Sequence, residues 1–248
     1  MINALICAYK SGDVLPLTLK QLVDAKCVNR ILVADGPHLG PVKPGPKIDH
    51  PSVQKVIARL ASKKIVYEYT DDCPTRADKV NRVLKHVSSD CEWVLGVDSD
   101  EVYHEDGLKR LAEFLKSAKY GRYAVKPVDP YPDFNHCFKV PWDWKPRIYR
   151  WFPGAQCEPG HDRFHQYVLH KSQKRCPNEE QRGVARVPLT VCTLWHLNAL
   201  RAGARRARPQ KDGTIIWTGG KRVCKSKLYP LDIRQAPKSI RDLGRSAL

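Results

Sequence analysis

The hydrophobic pattern changes character about halfway along the chain. In the first half, short apolar runs alternate with segments of helical period. Asn3–Ala8 reads as a strand, and Leu15–Ala25 as a helix with Leu15, Leu17, Leu19, Leu22 and Val23 on its apolar side. Arg30–Ala34 is a strand ending in Asp35-Gly36, and the Pro/Gly-rich stretch GPHLGPVKPGPK follows it. The spacing then predicts a helix over Ser52–Ala61, a strand over Lys64–Tyr69, a helix over Thr75–His86 and a strand over Glu92–Val97. A last helix over Glu105–Ala118 carries Leu108, Leu111 and Leu115 at helical spacing. Strands alternating with helices of about ten residues imply an α/β fold with a mainly parallel central sheet flanked by helices.

After residue 125 Pro and Trp become dense, in KPVDPYPDF and VPWDWKPRIYRWFPG, and helical periodicity fades. Short strands are expected at Pro146–Trp151 and Thr190–His196, within a small, irregular, antiparallel extension. No internal repeat is visible. The expected organisation is an α/β half over residues 1–125, a second half of the same domain over 126–200, and a C-terminal extension over 201–248.

Composition narrows the class. With 248 residues and 42% apolar content, the chain can bury a sizeable core. No apolar run approaches the length of a membrane span. The start, MINALICAYK, lacks the charged region and cleavage site of a signal peptide, so the expected location is the cytoplasm, or a host's cytoplasm if the chain is viral. The nine cysteines include no CxxC pair and are expected to be thiols, with a structural zinc site as the lesser alternative. Charge is unevenly spread: residues 201–248 hold 13 Lys and Arg against 3 Asp, and so carry +10 of the chain's net +17. A charge of this size points to a polyanionic partner.

The candidate chemistry lies in CEWVLGVDSDEV. An apolar strand ends abruptly in Asp98-Ser99-Asp100-Glu101, three carboxylates within four residues. Like charges this close repel unless something positive sits among them. Open parallel sheets bind ligands at the carboxyl ends of their strands, and Tyr9-Lys10, Asp35 and the acidic cluster all fall at such ends. Two carboxylates at i and i+2 past a buried strand can aim at one hard divalent cation, whose remaining positions take phosphate and water oxygens. Neither a GxGxxG nor a GxxxxGK[ST] pattern is present, so a dinucleotide fold and a P-loop are unsupported.

The segments LICAYKSGDVLPLTLKQL, ILVADG, RADKVNRVL and CEWVLGVDSDEV together resemble the nucleotide-sugar domain of GT-A glycosyltransferases, closest to family 2, across residues 2–125. A looser likeness continues through WKPRIYRW, GHDRFH and LWHLN. The resemblance implies a GT-A (nucleotide-diphospho-sugar transferase) fold, a nucleotide-sugar donor, expected to be a UDP-sugar, and a Mn2+ or Mg2+ ion. It places Ala8, Tyr9 and Lys10 around the nucleotide base, Asp35 against base or ribose, and Arg76 and Lys79 near base and diphosphate. Gly36 stands where many members carry a second acidic residue. Asp98 is implied near ribose and metal, Asp100 as a direct metal ligand, and His196 as an additional one. Family 2 chemistry inverts the anomeric centre in one displacement, which needs a base for the acceptor hydroxyl. Asp162, in GHDRFH, is the implied base and Glu101 its rival, with a capping or supporting role as the other reading of Glu101.

His161 and His165 are spaced i, i+4 as for a metal on a helix, but no Glu lies between them as in HExxH. Trp142, Trp144 and Trp151 are candidates for a stacking wall or for core packing. For the acceptor, RAGARRARPQK and GGKRVCKSK interleave basic and small residues without the apolar face of a membrane helix, the footprint of phosphate-backbone contact. Arg201, Arg205, Arg206, Arg208, Lys211, Lys221, Arg222 and Lys225 are the candidate contacts. DNA bearing a hydroxymethylated pyrimidine, as in phages, is the expected acceptor, reached with the base out of the stack. An anionic glycolipid or polysaccharide precursor at a membrane surface is the alternative, and a non-catalytic nucleic-acid-binding module a further one.

Overall fold

In the computed structural model, the described residues are 1–8, 14–37, 50–130, 136–138, 144–157, 167–168, 184–197, 207–209, 214–219, 222–230, 233–238 and 240–241. The first half runs β1 (Ile2–Cys7), α1 (Leu15–Asp24), β2 (Val28–Asp35), α2 (His50–Leu60), β3 (Ile65–Tyr69), α3 (Arg76–Leu84), β4 (Trp93–Asp98), β5 (Glu101–Tyr103) and α4 (Glu105–Lys116). Among the described residues the second half is mainly strands: β6 (Arg122–Pro130), β7 (His136–Phe138), β8 (Lys145–Arg150), β9 (Gln156–Cys157), β10 (Tyr167–Val168), β11 (Ala185–Arg186), β12 (Thr193–His196), β13 (Ala207–Pro209), β14 (Thr214–Gly219) and β15 (Arg222–Pro230), followed by a 3-10 turn at Ile233–Gln235.

The sheet order is β3-β2-β1-β4-β8-β6-β7-β15-β14-β13. The strands β3, β2, β1 and β4 are parallel, and β8 lies antiparallel between β4 and β6. This is the expected α/β class: a parallel flank, then an antiparallel extension. Side chains of the parallel strands alternate between two cores, as the two-residue strand period requires. Ala4, Ile6, Ile31, Val33, Trp93, Leu95 and Val97 pack with α1, α2 and α4 on one face. Leu5, Cys7, Leu32, Ala34 and Val94 pack with Ala77, Val80, Val83 and Leu84 of α3 on the other.

The C-terminal segment is stitched into the domain rather than merely appended. Leu228, Tyr229 and Pro230 of β15 pair with β7, and Ala236 and Ile240 are buried against Val102, Trp195 and Leu197. Arg222–Lys227 of β15 continue past that pairing and bond only to β14 among the described strands, with β13 beyond it. Six residues at about 3.3 Å each make an arm of roughly 20 Å. Its register sets Arg208, Ile216 and Lys225 side by side across three strands.

Candidate active site

The chain moves outward from β1 through β2 to β3 and then returns to place β4 on the other side of β1. The carboxyl ends of β1 and β4 therefore bound the crevice where the strand order reverses, the usual ligand site of an open α/β sheet. Cys7 is paired with Asp98 across this crevice, and Ala8 is buried at its floor, donating its N–H to the Ala34 carbonyl at 2.8 Å. Tyr9 and Lys10 lie outside the described residues.

The acidic turn is held from below by polar groups on the buried face of α1. The Thr18 hydroxyl donates to the Ser99 carbonyl at 2.9 Å, and the Gln21 amide donates to the Glu101 carbonyl at 3.2 Å while accepting from the Tyr103 N–H. Leu197, just past β12, donates its N–H to the Asp100 carbonyl at 2.8 Å. Buried backbone groups need such partners, and they fix the turn's conformation before any ligand arrives.

Asp98 and Glu101 meet arginine side chains, and Asp100 faces a histidine. Arg147, on β8, is wholly buried and donates its Nε to Glu101 Oε2 at 2.7 Å and its terminal nitrogen to Asp98 Oδ2 at 2.5 Å and to Glu101 Oε1. Burial penalises the guanidinium charge, but Asp98 and Glu101 outweigh the penalty and hold its pKa well above the usual range. Burial raises the Glu101 pKa against the pull of Arg147, and Asp98 raises it further. Arg76, at the start of α3, donates to the other Asp98 oxygen at 3.1 Å. Glu101, the rival base in the sequence reading, is thus fully buried, turned onto Arg147, and accepts the Asp98 N–H at 3.0 Å.

Asp100 meets His196. The parallel pairing of β12 with β6 and its antiparallel pairing with β5 deliver His196 beside the turn. Its Nδ1 lies 2.8 Å from Asp129 Oδ1 and its Nε2 3.9 Å from Asp100 Oδ1. Burial pulls the ring's pKa down, but the Asp129 hydrogen bond and the charges of Asp129, Asp100 and Glu101 push it up to about 9. The 3.9 Å gap is too wide for a hydrogen bond. Neighbouring donors on an octahedral ion at about 2.1 Å stand about 3 Å apart, so a modest closing of this gap would let both groups reach one ion. Asp100 and His196 therefore fit the Mn2+ or Mg2+ ion that the resemblance implies. Asp98 does not turn to that point, because both of its oxygens face guanidinium groups. Among the described residues no three His, Cys, Asp or Glu side chains form a ready-made cage, so substrate and water oxygens would complete the shell.

The end of β2 is equally constrained. Asp35 is buried, with Oδ1 accepting the Gly36 N–H at 2.8 Å and Oδ2 accepting the Tyr67 hydroxyl at 3.0 Å. Burial, then the Asp35 charge, raises the Tyr67 pKa. Gly36 has φ +114°, and a Cβ there would lie 1.8 Å from the Thr70 carbonyl oxygen. No second acidic side chain can occupy this position without moving the Thr70 backbone. Lys79 is buried and donates Nζ to the Gly36 carbonyl at 2.7 Å and the Ala8 carbonyl at 3.1 Å. It ties the ends of β1 and β2 together from beneath.

The structure thus brings Ala8, Asp35, Arg76, Lys79, Asp98, Asp100, Glu101 and His196 to one end of the sheet. Asp162, His161, His165, Trp142, Arg201, Arg205, Arg206, Lys211 and Lys221 lie outside the described residues, and Arg208, Arg222 and Lys225 are placed by strand register alone. Trp144 is half-buried beneath the Arg186 guanidinium, 5.0 Å from the ring centroid, and Trp151 packs against the α3-side core. Sequence reasoning missed Arg147, Asp129, Thr18 and Gln21. A signal existed for the last two, which are polar positions on the face of α1 that Leu15, Leu19 and Leu22 mark as buried.

No protein-family model and no curated protein sequence matches the chain. Among solved structures, residues 1–349 of TarS from S. aureus are similar over 60% of this chain and 46% of that one, at 17% identity and a TM-score of 0.43. The same protein in complex with UDP-GlcNAc is similar over 56% of this chain and 36% of that one, at 18% identity and a TM-score of 0.43. The 4-diphosphocytidyl-2C-methyl-D-erythritol synthase from Anaerococcus prevotii is similar over 60% of this chain and 70% of that one, at 18% identity and a TM-score of 0.40. The chain spans less than half the length of the TarS structures, and the likeness is one of partial fold.

Proposed function

We propose that the chain is a metal-dependent glycosyltransferase that takes its sugar from a nucleotide-sugar, with a UDP-sugar the expected donor and Mn2+ or Mg2+ the expected ion. The observation that supports this reading is the acidic turn at the β1/β4 crevice. There Asp98 and Glu101 are neutralised by buried arginine, while Asp100 and His196 stand at cation spacing. Asp100 and His196 would hold the ion, which supplies Lewis-acid stabilisation of the charge developing on the departing diphosphate. Arg76 adds fixed positive charge beside it. Asp98 and Asp35, each immobilised by its own hydrogen bonds, orient the nucleoside, with Ala8, Tyr9 and Lys10 around the base. Lys79 holds the two strand ends at their spacing. Asp162 removes the acceptor hydroxyl's proton in a single inverting displacement, and Glu101 acts through Arg147 on the shape of the turn.

The acceptor we propose is DNA carrying a hydroxymethylated pyrimidine, with the basic segment from Arg201 to Lys225 gripping the phosphate backbone. The antiparallel arm supports this, since a β-ribbon fits the major groove and nine Lys and Arg face one Asp in the sequence of residues 201–230. No helix among the described residues is long and apolar enough to cross a membrane.

The test is a panel of radiolabelled nucleotide sugars incubated with hydroxymethylated DNA or with vesicles containing an anionic glycolipid. Label should enter DNA with Mn2+ and not with EDTA. Label entering the vesicles would move the acceptor to the glycolipid class. DNA binding without transfer from any donor would replace the enzyme with a binding module.

A further inference from the structure

Asp129 has no part in the roles above, yet it is a buried carboxylate on a strand segment, KPVDP, whose two prolines argue against a regular strand. A buried carboxylate needs a partner to offset its lost hydration, and Asp129 has His196, at 2.8 Å across neighbouring strands. The parallel register that sets Thr193, Leu194 and Trp195 against Lys126, Pro127 and Val128 carries His196 to the level of Asp129. Because Nδ1 is spoken for, the ring presents Nε2 to Asp100. Both residues are more than nine-tenths buried, so the ring cannot swing into solvent without breaking the pair.

We infer that Asp129 is a positioning residue: it fixes the orientation of the His196 ring so that Nε2 faces Asp100, and so sets the affinity of that pair for a divalent cation. A carboxylate on the far nitrogen of a ligating histidine fixes the proton on that nitrogen and raises the basicity of the other. The inference rests on the metal-dependent reading of the site. A merely structural Asp129, one that only neutralises His196 and holds β6 to β12, would change stability when replaced but leave cation affinity alone.

The experiment is a Mn2+ titration of the full chain, followed by electron paramagnetic resonance of the free ion, for the wild type, His196→Ala, Asp129→Asn and Asp129→Glu. Asp129→Asn keeps the shape and removes the charge. We expect His196→Ala to lose binding, Asp129→Asn to weaken it about 10–100-fold, and Asp129→Glu to recover part of that loss. Nitrogen NMR of His196 in the wild type adds a readout that needs no variant to fold. Nδ1 should be protonated in the metal-free protein, and the Nε2 resonance should move when Zn2+, a diamagnetic stand-in, is added. A folded Asp129→Asn protein that binds Mn2+ as the wild type does, or movement of the Nδ1 resonance instead, would overturn the assignment of Asp129 alone. A wild type that binds no Mn2+ would overturn the metal reading and this inference together.

Discussion

Between residues 98 and 101 three carboxylates stand within four positions, two of them paired with arginine and the third facing a histidine inside the fold. Between residues 201 and 230 nine Lys and Arg share the sequence with one Asp. The first region gathers charge only by balancing it. Arg147 answers Asp98 and Glu101, His196 answers Asp100 and Asp129, and the helix residues Thr18 and Gln21 pin the backbone between them. The second gathers its cations in the sequence with almost no acidic residue to balance them. Buried charge demands internal partners, whereas an unbalanced surplus of one sign favours an oppositely charged partner. The first arrangement is internally balanced, and the second supports the proposed acceptor contact.

The sharpest way to break this comparison is to exchange the roles of the two candidate bases. Asp162→Asn should lower transfer about 10²–10⁴-fold with donor affinity nearly kept, measured by steady-state kinetics and donor titration. Glu101→Gln should instead show its main effect in stability. If Glu101→Gln abolished transfer in a fully stable protein while Asp162→Asn did not, the buried region would hold the base and the division of labour drawn here would fail.

The internal balance is tested next by removing its centre. Arg147→Met strips the guanidinium from Glu101 and leaves Asp98 with Arg76 alone, and breaking a buried pair from one side costs about 3–5 kcal/mol. Urea denaturation should show a loss of that order. A loss below about 1 kcal/mol, the scale of a surface pair, would mean that Asp98 and Glu101 are hydrated and the site is not preorganised.

The outward surplus predicts salt sensitivity. If about half of the eight candidate cations reach phosphates, the slope of log K against log salt for duplex DNA is roughly −3 to −5. Replacing Arg205, Arg206 and Arg208 by Ala should flatten it and leave donor hydrolysis unchanged. A salt-independent affinity would remove the arm from the acceptor contact.

The smallest effect is on pH. The folded His196 pKa, about 9, lies above the ordinary value of 6.5. The pair's contribution is therefore fully present below about pH 6.5 and lost as pH rises through 9. In metal-free buffer, urea stability should fall by about 1–3 kcal/mol over that interval, and Asp129→Asn should flatten the profile. An unchanged profile in the variant would show that another group titrates.

The parallel flank was legible because β1, β4 and most of β2 are buried on both faces and read as continuous apolar runs. The helices between them carry clear periods. The strand β6 was not legible, since Pro127 and Pro130 interrupt it, and neither was the arm, whose basic residues mask its alternation. The acidic cluster announced a site by itself, but its partners did not. Arg147 and Asp129 are brought to the cluster by the second half's strand pairing, at sequence separations of 46 residues from Glu101 and 67 from His196. No local pattern reports contacts at that range. Gly36 was read as a missing acidic residue, and the structure adds the reason, a positive φ against the Thr70 backbone.

Metal-dependent nucleotide binding at Asp100 is tested by calorimetric titration of UDP into the wild type and into Asp100→Ala, with Mn2+ and with EDTA, the fold of each being checked by circular dichroism. The wild type should bind UDP only with Mn2+, and a folded Asp100→Ala protein should lose that binding. Binding of equal strength to both, or binding to the wild type that ignores EDTA, would contradict metal-dependent binding at Asp100.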